Sequence, residues 1–146
     1  MARKLLMLLS FVGIFLILNS LSALALGITP GRTTLDFKPE LKKSVDLIVI
    51  NSQKSDLDLS ISVQGELSKS ISLRENHLQI SSREEERKFS FDISLPNILE
   101  PGLHTAEVVI KQKSNKASSG PATIGTELAV ATQISVYVPY PGKYVD

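Results

Sequence analysis

The chain has 146 residues, enough for one ordinary domain with an export segment but not for a catalytic architecture of several domains. Its 16 Lys and Arg stand against 15 Asp and Glu, so it offers no broad basic field for phosphate backbones, and no nucleic-acid partner is expected. There is no Cys, which excludes thiol catalysis, disulfide staples, thiolate zinc sites and a lipid-modified N-terminal cysteine.

The N-terminus has three parts. Met1 to Lys4 carries Arg3 and Lys4, Leu5 to Leu18 is apolar apart from Ser10 and Gly13, and Ala23-Leu24-Ala25 places small residues two apart. That is the pattern of an export signal. The apolar run of about 14 residues falls short of the roughly 20 that cross a bilayer as a helix. A signal peptide over residues 1–25, cleaved after Ala25, is therefore expected. The alternative is an uncleaved, tilted anchor from Leu5 to Leu26, interrupted by Asn19, Ser20 and Ser22, in which residues 1–25 would contact membrane. In both cases the body is expected to be exported, extracytoplasmic or at the cell surface.

From Leu26 onward apolar side chains recur at every second residue, which in a pleated strand sends one set to a core and the other to water. Leu57, Leu59, Ile61 and Val63 alternate with Asp58, Ser60, Ser62 and Gln64, and Phe89, Phe91, Ile93 and Leu95 alternate with Ser90, Asp92 and Ser94. Late in the chain Leu128, Val130, Ile134, Val136 and Val138 share one parity. Turn signals separate these runs at Lys38-Pro39, Asn51-Ser52, Gly65, Asn76, Pro96-Asn97, Pro101-Gly102, Gly120-Pro121 and Pro139. The spacing predicts strands over residues 28–37, 43–51, 57–64, 70–73, 78–81, 87–95, 103–113 and 126–138. Val45 to Ile50 is apolar except at Asp46, as in a central strand whose second face is partly covered.

Seven or eight short strands at hairpin spacing in residues 26–139 predict an all-β, antiparallel two-sheet sandwich, with a closed barrel as the alternative. Residues 113–120, rich in Lys, Ser and Ala, read as the exposed tip of a long hairpin. Residues 140–146, after Pro139, read as a linker or tail: Pro139 and Pro141 remove ladder donors and fix φ, as in a stiff connection to a further module.

Three segments together resemble the immunoglobulin-like sandwiches of bacterial and archaeal envelope proteins. They are Ile28-Thr29-Pro30-Gly31-Arg32 to Phe37 followed by Ser44 to Asn51, Leu99-Glu100-Pro101-Gly102-Leu103-His104 followed by Ala106, Val108 and Ile110, and the last strand ending at Val138-Pro139. The middle one is similar to the corner where the fifth strand of such a sandwich hands over to the sixth. Within that superfamily the chain is distantly similar to the first domain of periplasmic pilus chaperones. In that family an Arg on the first strand and a Lys on the last grip the terminal carboxylate of the client subunit. The resemblance puts Arg32 at the first place, as a carboxylate anchor, and the uncharged Gln133 at the second.

His104 shares parity with Ala106, Val108 and Ile110 and follows Pro101-Gly102, which predicts a structural corner in which the imidazole hydrogen-bonds back to nearby backbone. His77 lies in a predicted turn beside Asn76, without the three or four converging ligands a metal needs. The 19 serines sit in no nucleophile-elbow context and read as the solvent face of strands. Glu84-Glu85-Glu86, flanked by Arg83, Arg87 and Lys88, reads as a solvated turn with internal pairing. Asp56 and Asp58 are spaced like the start of a calcium loop but lack its Gly and bidentate Glu. No cofactor is expected. Lys111, Lys113 and Lys116, around the long loop, form a candidate interaction surface. The reading that results is a non-enzymatic module of the cell envelope serving structural support, adhesion or protein–protein interaction. Its expected partner is an envelope protein or surface polymer, and the alternative is a chaperone that donates a strand to a subunit.

Overall fold

A computed structural model describes residues 26–113 and 128–142. Within them nine strands form: β1 Leu26–Thr29, β2 Arg32–Asp36, β3 Lys42–Asn51, β4 Leu57–Gly65, β5 Ile71–Leu73, β6 His77–Ile80, β7 Glu86–Ser94, β8 Gly102–Gln112 and β9 Ala129–Val138. A short 3-10 helix, Glu66–Ser70, carries the chain from β4 to β5. The strands make a four-stranded sheet in the order β1-β3-β7-β5 and a five-stranded sheet in the order β2-β9-β8-β4-β6. All neighbours are antiparallel except β2 and β9. The architecture is the immunoglobulin-like β-sandwich.

The alternating pattern decides which faces meet. Val45, Leu47 and Val49 of β3 and Phe89, Phe91 and Ile93 of β7 point inward from one sheet. Leu57, Leu59 and Ile61 of β4, Ala106, Val108 and Ile110 of β8, and Ile134 and Val136 of β9 point inward from the other. The rings of Phe89 and Phe91 lie 6.4 Å apart, tilted by 33°. β3 is a central strand, and its outward Ile48 and Ile50 are half-buried. Ile50 lies against Gly27 of β1, where a methyl group would stand 3.3 Å from its Cβ.

The segment expected as one strand over 28–37 is two strands on different sheets, so nine strands are present among the described residues where seven or eight were expected. β1 pairs with β3, the chain crosses at Pro30-Gly31, and β2 pairs with β9. Pro30 cannot donate to a ladder, which favours a break there. The crossing is pinned from the opposite sheet: Thr132, fully buried on the inward side of β9, donates its hydroxyl to the Pro30 carbonyl at 2.8 Å.

Asn51 closes the opposite end of β3. It is 1% exposed, and its side-chain Nδ2 faces three backbone carbonyls: Ser55 at 2.9 Å, Ser81 at 3.3 Å and Glu84 at 3.2 Å. One amide thus ties the β3–β4 loop to the β6–β7 loop. Asp56 adds a second tie by accepting the Ser82 N–H at 2.7 Å, and that bond holds its carboxyl below the usual value.

Candidate interaction surface

The sandwich has two poles. At one, Leu26 enters beside Asn51, and β4, β7 and β9 begin. At the other lie the corner between β7 and β8, residues 95–101, and the exit of β9. All four large apolar side chains that stand exposed among the described residues belong to this second pole: Ile98 at 80%, Leu103 at 64%, Tyr140 at 53% and Tyr137 at 46%. Leu103 and Tyr137 are direct cross-strand partners on the outer face of the five-stranded sheet. Tyr140 closes over the same spot, with its hydroxyl 3.7 Å from where a methyl group on Gly102 would stand. Asp36, opposite Tyr137 on β2, borders the patch. Apolar side chains grouped in this way mark a surface suited to a partner.

His104 underlies the patch on the inward face of β8 and is 6% exposed. Its Nε2 lies 2.7 Å from the Glu100 carbonyl and its Nδ1 2.6 Å from the Glu66 carboxylate. The bond to the Glu100 carbonyl and then that to Glu66 raise its pKa above the ordinary value, and burial opposes them. Gly102, at φ 140°, makes the turn after Pro101 that starts β8. The corner geometry thus joins Pro101, Gly102 and His104 to Glu66, a residue that sequence reasoning did not single out.

The remaining sequence candidates lie elsewhere. Arg32 sits at the start of β2 and is exposed, and its register partner on β9 is Gln133. The two positions that the chaperone resemblance pairs are therefore side by side, one charged and one neutral. Next to them Gln64 donates to Glu107 at 2.9 Å, in register with Gln133. β2 lies beside β9 only over Gln133 to Tyr137, and no described strand pairs with that edge from Ala129 to Thr132.

Lys111 is exposed near the end of β8, and Lys113 reaches Asp58 at 3.6 Å, whereas Lys116 lies outside the described residues. The same Asp58 pairs with the ring of His77, which begins β6 directly across from Ser60. His77, expected in a turn, thus begins a strand and has an acidic partner two positions along β4 from Ser60, a pairing set by a register that is invisible in the sequence. Of the glutamates expected in one turn, Glu84 pairs with Arg87 at 3.3 Å and Glu85 takes Lys54 of the neighbouring loop at 2.7 Å, while Glu86 begins β7. Among the described residues no cluster of His, Asp and Glu is arranged to hold a metal, and no helix is long and apolar enough to cross a membrane.

No family model matches the chain, and no curated protein sequence matches it. Solved structures do share the fold. The periplasmic chaperone SfaE superposes with a TM-score of 0.53 at 11% identity over 79% of this chain and 58% of its own. PapD-like domain 7 of human CEP192 gives 0.56 at 13% identity over 80% of this chain and 87% of its own. A chain of the Salmonella enterica SafA pilin–SafB chaperone complex gives 0.51 at 12% over 86% and 59%. This chain spans less than two thirds of the matched chains of both chaperone structures. At these identities the likeness shows the fold alone, an immunoglobulin-like β-sandwich.

Proposed function

We propose that the chain is a non-enzymatic immunoglobulin-like binding module of an exported cell-envelope protein, which engages a protein or surface polymer through the pole formed by the β7–β8 corner and the exit of β9. The observation that carries this is the grouping of Ile98, Leu103, Tyr137 and Tyr140, exposed together at one pole. Tyr side chains offer large contact area at low conformational cost, which suits them to interfaces. In this reading residues 1–25 are the export signal or anchor, residues 26–139 the binding module, and residues 140–146 a linker. Leu26 enters at the opposite pole, so an anchored form would present the patch away from the membrane. The fold neighbours, among them a periplasmic chaperone, support an extracytoplasmic, protein-interacting role.

The strand-donating chaperone reading asks for two cations at the carboxylate anchor, and position 133 supplies an amide. A photo-crosslinking residue placed in turn at Leu103, Ile98 and Ala131 in the native host separates the two. Crosslinks at Leu103 and Ile98 with none at Ala131 support the pole. Crosslinks to a subunit at Ala131 alone, on the open edge of β9, would overturn it in favour of strand donation.

A further inference from the structure

We infer that His104 is a proton-operated latch: carried as a buried imidazolium, it ties the 3-10 helix Glu66–Ser70 to the corner between β7 and β8, and losing its proton unties one of the two.

The argument is one of donors and acceptors. The ring has two nitrogens, and the oxygens they face belong to a carboxylate at 2.6 Å and a peptide carbonyl at 2.7 Å. Neither partner has a proton to give. A neutral imidazole carries one N–H, so it would leave one nitrogen lone pair pressed against an oxygen lone pair in a site that is 6% exposed. Only the doubly protonated ring satisfies both bonds. The anionic groups near it favour that form: the helix contributes Glu66 at the ring and the corner contributes Glu100, while Lys69, in the last turn of the helix, is the cation on that element. Across the sheet His104 faces Val136 of β9, which is uncharged. Glu107 of β8 has the opposite parity and bonds Gln64 on the solvent face.

The two tied elements are not equally held. Gly65 sets the helix start against β8, with a methyl group there meeting Ala106 Cα and the Thr105 carbonyl at 3.0 Å. The corner has less. Among the described residues, the backbone groups from Pro96 to Glu100 make one backbone–backbone bond, from the Glu40 N–H to the Pro96 carbonyl. The His104–Glu100 bond is therefore the main polar tether of the segment that presents Ile98, beside the packing of half-buried Leu99 against the core. Because the folded value of His104 is raised, the stabilisation is complete below the ordinary 6.5 and is withdrawn as pH rises from there through the folded value.

Nuclear magnetic resonance on the full-length chain tests both halves. Ring nitrogen shifts should show two N–H groups on His104 at pH 6, with a titration midpoint above 6.5. E66Q, whose parent side chain is 60% exposed and so tolerates exchange, should lower that midpoint by about half a pH unit or more. Backbone relaxation of residues 97–100 should report loss of order as the midpoint is passed in the parent and little change in E66Q, whose amide can donate to a neutral Nδ1 and leave Nε2–H on the Glu100 carbonyl. A neutral ring at pH 6, or corner signals that stay unchanged through the His104 titration in the parent, would overturn the latch.

Discussion

Replacing Asn51 by Asp exchanges one heavy atom, the amide nitrogen for an oxygen, and changes almost nothing of the side chain's shape, yet it should be among the most damaging single changes in this protein. The amide Nδ2 sits among three backbone carbonyls at 2.9, 3.2 and 3.3 Å, and its two protons are shared between them. The other end of the side chain, Oδ1, is buried and accepts no bond from the described residues, so the two loops are held by the donor end. Asn51→Ala removes two donated bonds and strands buried carbonyls, at about 1–2 kcal/mol for each bond, hence about 2–4 kcal/mol in all. Asn51→Asp goes further by turning an anionic oxygen toward carbonyl oxygens in a site that excludes water. Leaving a buried charge without a partner costs about 3–5 kcal/mol. Against a total stability of about 5–15 kcal/mol for a domain, that is a large fraction. Urea denaturation of parent, Ala and Asp forms at pH 7 gives the order parent, Ala, Asp. Acid should narrow the gap between Asp and Ala, because a protonated carboxyl can donate one of the lost bonds. An Asp form within about 1 kcal/mol of the parent, or more stable than the Ala form at pH 7, would refute the reasoning.

Other perturbations follow from the same geometry. Gly65→Ala should destabilise by about 2–4 kcal/mol in thermal or urea unfolding, since its φ of 100° and the backbone atoms 3.0 Å from a new methyl group both oppose it. His104→Ala should cost about 1–3 kcal/mol by leaving the Glu100 carbonyl unpaired, and His104→Tyr less; denaturation curves without any loss for the Ala form would remove the corner assignment. Deleting residues 140–146 should change stability by less than about 1 kcal/mol, and a larger drop would make the segment part of the sandwich's own packing. Mass spectrometry of the protein from its native host should find a mature N-terminus at Leu26; an intact Met1 peptide in membranes would indicate the anchored form.

Much of the fold was legible because burial on one face leaves a period-two trace that any strand must carry. The same trace held an unread signal at β1 and β2. Inward parity is even at Leu26 and Ile28 and odd at Leu35 and Phe37, so the face switches across Pro30-Gly31, where the chain changes sheets. Thr132 interrupted the inward run of β9 for a reason sequence cannot supply: its hydroxyl has a buried acceptor about a hundred residues away in the chain. His104 was placed on the inward face by parity, and its backbone acceptor lies four residues away, within reach of local reasoning. Its second partner, Glu66, is 38 residues away, and the Asp58–His77 pair depends on the register of β4 and β6. Such pairings are set by topology, which alternation does not encode. Asn51 looked like a turn residue, and its burial came from two loops folding over it.

The binding account rests on the exposed pole, and a double substitution there addresses it most directly. Leu103→Ser with Tyr137→Ser removes two exposed side chains, at 64% and 46%, from the outer face of the sheet without touching the core. The unfolding midpoint should stay close to that of the parent, while recovery of the crosslinked complex from the native envelope should fall at least about tenfold, as expected when interface anchors are lost. An equally stable variant that recovers its envelope partner undiminished would contradict the account.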